Sequence, residues 1–168
     1  MVNKILLTVQ TLLVSVSATD FYKIHPKSHE DLCITVKNGK LEKGAELEIE
    51  RCLPNDSVDV KTQQFAGQQD DNIFIMFSKD ATELNIDNGG GTARGNGLTL
   101  ESAGNHPIPP PSSYWSYDEE RLYSVDYNQK RQLCLDVIEN GGSVDVGSKN
   151  LQIWDCIDGA SNQLWTFT

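Results

Sequence analysis

The sequence predicts an all-β domain built from three copies of one unit. Two observations carry this. Short segments with apolar residues at alternate positions are separated by glycine, asparagine and aspartate turns such as Asn38-Gly39, Asn88-Gly89-Gly90-Gly91 and Asn140-Gly141-Gly142, and no segment sustains a helical period of 3.6 residues. An aromatic residue also returns every fifty positions, as Phe65, Trp115 and Trp165. A fixed period of that length marks repeat architecture. The copies run at roughly 20–67, 68–120 and 121–168, each expected to bury an apolar face against the other two.

The N-terminus stands apart from the repeats. Lys4 precedes the apolar run Ile5-Leu6-Leu7-Thr8-Val9 and Leu12-Leu13-Val14, which closes on the small residues Ser17-Ala18. A basic start, apolar middle and small-residue end predict a secretory signal over residues 1–18, cleaved after Ala18. The run is too short and too interrupted by Gln10 and Thr11 to span a bilayer. The expected location is therefore extracellular. The chain carries 14 basic and 24 acidic side chains, net −10, which argues against nucleic acid and against an anionic membrane surface as partners.

Within the repeats, three tetrapeptides align as Cys33-Ile34-Thr35-Val36, Glu83-Leu84-Asn85-Ile86 and Cys134-Leu135-Asp136-Val137. The second and fourth positions are aliphatic in each. A further segment follows in each copy: Ala45-Glu46-Leu47-Glu48-Ile49-Glu50, then Gly97-Leu98-Thr99-Leu100, then Leu151-Gln152-Ile153-Trp154. The four cysteines, Cys33, Cys52, Cys134 and Cys156, read as two disulfides in a secreted chain, and sequence alone permits three pairings. No Cys-x-x-Cys spacing suggests zinc or redox chemistry. Asn55-Asp56-Ser57 is an N-glycosylation sequon.

Cys134-Leu135-Asp136-Val137, Gln152-Ile153-Trp154-Asp155-Cys156 and Asn162-Gln163-Leu164-Trp165 together resemble the ricin-type lectin domain, in which a Gln-x-Trp motif closes each repeat. The first copy keeps both cysteines and Gln63-Gln64-Phe65; the second has lost its cysteines and carries Tyr114-Trp115. The resemblance implies a β-trefoil, twelve strands forming a six-stranded barrel capped by three hairpins. It also implies disulfides within repeats, Cys33 with Cys52 and Cys134 with Cys156.

The repeat separates the tryptophans. Trp165 has an aromatic counterpart in every copy, so it is expected in the core with Phe65 and Trp115, beside Ile34, Leu84 and Leu135. Trp154 has none; its counterparts read as Glu50 and Leu100. Alternation puts Leu151 and Ile153 on one face of their strand and Gln152 and Trp154 on the other. An exposed indole beside a polar amide suits a pyranose, whose C–H face packs on the ring. Asp136, between inward Leu135 and Val137, is expected to point outward and accept hydrogen bonds from two vicinal hydroxyls. Asn162 offers a donor and an acceptor, and Gln163 braces Asp136 or touches the ligand. The resemblance implies that Asp136, Gln152, Trp154, Asn162 and Gln163 form one sugar pocket, with a galactose-type ligand the commonest in the family. The pockets of the first two copies read as lost, with Thr35 and Glu50 in one and Asn85 and Leu100 in the other. The Ile138–Asn150 loop looks long and adds Glu139 and Asp145.

Catalytic chemistry is not evident. His25 and His29 are four apart, but Pro26 between them opposes a helix that would present both to a metal. Asn88-Gly89-Gly90-Gly91-Thr92 lacks the lysine of a phosphate loop. No metal, cofactor or enzymatic activity is expected. The partners are expected to be glycans or glycoproteins, with oligomers or a larger complex supplying avidity. The alternatives are a degenerate trefoil serving as a protein scaffold, or a protease inhibitor acting through the proline loop near 105–113.

Overall fold

The computed structural model describes residues 20–70, 73–78, 81–89, 93–102, 111–126, 130–147 and 150–168. The expected signal segment, His106 and most of the proline loop lie outside the described residues. Each copy supplies four strands. They are β1 (Ile24–Pro26), β2 (Leu32–Val36), β3 (Leu47–Arg51) and β4 (Phe65–Asp70) in the first. The second holds β5 (Ile73–Ser78), β6 (Ala81–Asp87), β7 (Thr99–Ser102) and β8 (Trp115–Asp118). The third begins with β9 (Arg121–Val125) and β10 (Arg131–Val137). It then inserts the small hairpin β11 (Glu139–Asn140) and β12 (Ser143–Val144), and ends with β13 (Leu151–Trp154) and β14 (Trp165–Phe167). The long Ile138–Asn150 loop is thus an added hairpin, turned by Gly141 and Gly142 at positive φ.

The fold is a β-trefoil. β4 pairs with β5, β5 with β8, β8 with β9 and β14 with β1, all antiparallel. Tyr22 bridges to Phe65 at the start of β4, and Trp165 N–H donates to Glu120 O at 2.7 Å just before β9, closing the ring. The hairpins β2–β3, β6–β7 and β10–β13 cap it. No helix among the described residues is long and apolar enough to cross a membrane.

Phe65, Trp115 and Trp165 are buried in a single core with Ile34, Ile49, Ile86, Leu100, Leu135 and Ile153. Burying rings of this size in a close-packed interior supplies much of the driving force for folding. Each indole N–H also finds a carbonyl, from Trp115 to Ile86 O and from Trp165 to Leu135 O, both at 3.1 Å. The disulfides are Cys33–Cys52 and Cys134–Cys156, one within the first copy and one within the third.

These matching indole bonds correct the alignment of the middle copy. Ile86, not Leu84, is the counterpart of Leu135, so Asp87, not Asn85, is the counterpart of Asp136. The hairpin registers agree: Asp136 faces Gln152 and Cys134 faces Trp154, while Asp87 faces Thr99 and Asn85 faces Glu101. The partner of Trp154 is therefore Glu101 rather than Leu100, which is fully buried like Ile153. In β6 the shift is of two residues, which leaves every side chain on its original face, so alternation cannot detect it; in β7 it is of one residue, which puts Leu100 on the buried face with Ile153 and Glu101 on the face of Trp154. An irregularity in the β5–β6 pairing absorbs the difference. Asn85 occupies the position of Cys134, is fully buried, and hydrogen-bonds through neither amide atom.

Candidate functional site

The site begins with a cross-strand pair. β10 places Asp136 directly opposite Gln152 of β13, and Gln152 Nε2 donates to Asp136 Oδ1 at 2.8 Å. A one-turn 3-10 helix at Ser161–Gln163 enters from below. Its Asn162 Nδ2 donates to Asp136 Oδ2 at 3.0 Å and to Val137 O at 2.9 Å, and its Gln163 Nε2 donates to Asp136 Oδ2 at 3.0 Å and to Asp155 O at 2.8 Å. Ile157 N–H completes Gln163 by donating to its Oε1 at 2.9 Å.

This arrangement changes the role expected of Asp136. It does not stand free on an outer face: it is 4 % exposed, wrapped by three amides. A carboxylate has about four lone-pair positions, and protein donors fill three of them. What remains is one position on Oδ1, enough for one ligand hydroxyl rather than two. The donor hydrogens of Asn162 are both committed, which leaves its carbonyl oxygen to meet a ligand donor. Gln163 is fully buried and every part of its amide is used, so it stands as the brace of the two alternatives. The same brace exists in the first copy. There Gln63 Nε2 donates to Thr35 Oγ1 at 2.8 Å and to Arg51 O at 2.9 Å, while Leu53 N–H donates to its Oε1 at 2.7 Å.

Trp154, at the end of β13, is 37 % exposed, whereas Trp165 is 0 % exposed. The indole does not stand alone. A loop of the second copy runs along the free edge of β13: Gly95 N–H donates to Ile153 O and Ile153 N–H to Asn96 O, both at 2.9 Å. Gly95 has φ +81°, and a β-carbon there would lie 3.7 Å from Trp154 Cζ3 and 3.9 Å from Gln152 Oε1. Beside it, Arg94 Nε donates to Asp155 Oδ1 at 2.7 Å. Arg94 and Gly95 were not among the residues the sequence suggested. They belong to a different repeat, and only the fold brings them to the indole; the positive φ is the one local trace, since it calls for glycine.

The other two pockets differ in kind. In the second copy Asp87 accepts hydrogen bonds from both Ser112 Oγ and Ser113 Oγ and, on Oδ1, from Gly89 N–H at 2.8 Å. The carboxylate expected to be absent is therefore present; what is missing is the aromatic platform, replaced by Glu101, which pairs with Lys43 at 3.4 Å. In the first copy the acid has changed strands. Thr35 faces Glu48, so the carboxylate sits where the third copy has Gln152. Burial raises the Glu48 pKa, opposed by the nearby Lys37 ammonium and reinforced by Glu50 and Glu46. Its Oε2 is buried without a hydrogen bond. Asn55, the sequon asparagine, is exposed in a turn.

Comparison with known families matches residues 20–165 to the ricin-type beta-trefoil lectin domain. The chain belongs to this family. No curated protein matches the sequence. Among solved structures, the designed 3-fold symmetric protein ThreeFoil superposes with a TM-score of 0.66 at 16 % identity, covering 88 % of this chain and 96 % of that one. The β-trefoil lectin of the Vibrio vulnificus hemolysin/cytolysin, solved with N-acetyl-D-lactosamine bound, gives a TM-score of 0.61 at 20 % identity, with 90 % and 96 % covered. The C-half of the earthworm R-type lectin, in complex with GalNAc, gives 0.64 at 13 % identity, with 88 % and 96 % covered. In several other matches this chain spans only half or less of a longer protein. At these identities the superpositions speak for the fold.

Proposed function

We propose that the protein is an extracellular lectin that binds a galactose-type sugar at the pocket of its third repeat. The observation that carries this reading is the pairing of a braced carboxylate, Asp136, with a part-exposed indole, Trp154, across a single hairpin. The carboxylate fixes one ring hydroxyl through a charge-assisted bond, and Asn162 Oδ1 accepts from a neighbouring hydroxyl. Trp154 receives the C–H face of the ring. Gln152 and Gln163 hold Asp136 in place. Family membership supports carbohydrate as the ligand class, and the N-acetyl-D-lactosamine and GalNAc complexes of two structural neighbours support the galactose type.

A shallow site with so few polar contacts gives weak binding, on the order of millimolar to high micromolar, about −4 to −6 kcal/mol. Multivalent display on a glycoprotein, or several copies of the site in one assembly, then supplies avidity. None of these groups is asked to break a bond, and we read the chain as a binding protein rather than an enzyme. The test is a glycan array followed by calorimetric titration of the best ligand, with wild type and Asp136→Ala side by side. Wild type is expected to select glycans with terminal galactose-type residues, and Asp136→Ala to lose them. An empty array, or a variant that binds as well as wild type, would overturn the assignment.

A further inference from the structure

The first-repeat disulfide lies against a buried histidine. His25, on β1, has Nδ1 3.4 Å from Cys52 Sγ and 3.7 Å from Cys33 Sγ. The same nitrogen is 3.0 Å from Glu30 O, and Glu30 O is 3.9 Å from Cys52 Sγ. On its far side the ring is held by Thr168 Oγ1, 2.6 Å from Nε2. Among the described residues, His25, Cys33 and Cys52 are the one set of three histidine, cysteine or acidic side chains whose ligand atoms lie within 4.8 Å of one another. The Cys134–Cys156 disulfide has no comparable neighbour among the described residues.

These distances are those of a metal polyhedron with one edge collapsed. Zinc binds thiolate sulfur at about 2.3 Å and imidazole nitrogen at about 2.0–2.1 Å. In a tetrahedron this places nitrogen about 3.5 Å from each sulfur and the sulfurs about 3.8 Å from each other. Both nitrogen–sulfur edges already stand near that value. The carbonyl oxygen of Glu30 lies beside the same group, 3.0 Å from Nδ1 and 3.9 Å from Cys52 Sγ. Only the sulfur–sulfur edge is too short, because a covalent bond occupies it.

We propose that reduction of the Cys33–Cys52 bond converts this corner into a zinc site made by His25 Nδ1 and the two cysteine thiolates, with Glu30 O completing it. The chemistry balances with a dithiol as reductant. The dithiol delivers two electrons and two protons to the Cys33–Cys52 bond and becomes a disulfide itself; zinc then displaces both protons from the new thiols. In the oxidised chain His25 Nδ1–H donates to Glu30 O and Nε2 accepts from Thr168 Oγ1; on metal binding the ring changes tautomer, so that Nε2–H donates to Thr168 Oγ1 and the Nδ1 lone pair turns to the metal. A histidine fixed in this way through its second nitrogen is the usual arrangement at zinc. The metal then takes over the cross-link of the first repeat in the reduced chain.

The test uses the full chain, reduced with dithiothreitol, freed of reductant by anaerobic desalting and titrated with cobalt(II). A thiolate-to-cobalt charge-transfer band is expected, saturating at one equivalent and bleached by zinc. The double variant Cys134→Ser/Cys156→Ser should keep the band and Cys33→Ser/Cys52→Ser should lose it. His25→Ala should weaken cobalt binding at least about tenfold. Near-ultraviolet circular dichroism of the buried tryptophans reports folding in parallel; if reduction erases that signal, zinc is expected to restore it. The proposal fails if wild type shows no band, if the band follows Cys134 and Cys156, if His25→Ala binds like wild type, or if zinc leaves a reduced, unfolded chain unfolded.

Discussion

The first and third repeats share a frame and differ in what the frame holds. In both, a glutamine from a one-turn helix, Gln63 or Gln163, ties the end of the second hairpin strand to the middle of the first through the same three hydrogen bonds. In both, a disulfide closes the hairpin. At the three positions this frame presents, however, one copy has Asp136, Gln152 and Trp154 and the other has Thr35, Glu48 and Glu50. The frame is thus independent of the ligand chemistry. A trefoil can exchange an aromatic platform for a carboxylate in one copy without disturbing the brace that supports it, which is how three equal repeats come to carry unequal sites.

The largest expected effect separates frame from site most sharply. Trp165→Ala removes a fully buried indole and should cost about 3–5 kcal/mol in urea unfolding. Trp154→Ala should cost under about 1 kcal/mol because its ring is partly exposed, yet lower sugar affinity at least about tenfold, or about 1.4 kcal/mol. If Trp154→Ala binds like wild type, the platform assignment is wrong.

Next in size is the hub. Asp136→Ala strands the donors of Gln152, Asn162 and Gln163, and leaving buried donors unpaired costs about 1–3 kcal/mol. Thr35→Ala, which strands one donor of Gln63, should cost less, about 1 kcal/mol. Equal losses in thermal unfolding would show that the two braces carry equal loads and that Asp136 is not a hub. Gly95→Ala sharpens the comparison from outside the third repeat. The added methyl group forces a residue at φ +81° into the left-handed region, a strain of about 1–2 kcal/mol. It should weaken sugar binding by displacing the loop under Trp154, with a shift of the tryptophan fluorescence as the local readout.

The smallest effect is electrostatic and lies in the first repeat. Glu48 has a folded pKa raised above its ordinary value of 4.5, chiefly by burial. A raised carboxylate pKa means the folded state prefers the protonated form, so the contribution is favourable below the unfolded pKa and is lost as pH rises through the folded one. Glu48→Gln should therefore be more stable than wild type at neutral pH, with the gap closing below about pH 4. A gap that stays constant from pH 3 to 8 would remove Glu48 as its source. The Gln152→Glu exchange in the third repeat is the converse: it places a second carboxylate against Asp136 and should abolish sugar binding at neutral pH.

Most of the frame was legible because periodicity states it more than once. The aromatic set Phe65, Trp115 and Trp165, the repeated Cys-aliphatic pattern and the turn residues all report one three-part object, and the family resemblance supplied the pairing of the cysteines. The third-repeat residues were legible as a set because the family resemblance supplied it; alternation added only which way Asp136, Gln152 and Trp154 point, and the β10–β13 register sets Asp136 against Gln152. Three features were not. The register of β6 escaped because Asn85 and Asp87 lie on the same face and differ only by one pleat. The burial of Asp136 escaped because alternation says which way a side chain points, not which amides close over it. Arg94 and Gly95 escaped because their contact with Trp154 and Asp155 crosses repeats.

The seam between β1 and β14 has a mechanical consequence. Ile24 pairs with Phe167, His25 with Thr166 and Pro26 with Trp165, so the N-terminal end of β1 and the C-terminal end of β14 lie side by side, at the same end of an antiparallel pair. Tension applied to the ends loads these pairs one after another, as a zip is loaded, rather than all together in shear. Opening should begin at Lys23 and Thr168, whose backbone groups bond each other at 2.8 and 3.0 Å, and pass through the Ile24–Phe167 pair until Trp165 is drawn from the core. The first covalent stops are then Cys33 and Cys156, behind which the loops closed by Cys52 and Cys134 cannot lengthen. Whatever glycan the protein holds, its resistance to being pulled on is set at that short seam, at the Tyr22–Phe65 bridge beside it and at those two sulfur bonds.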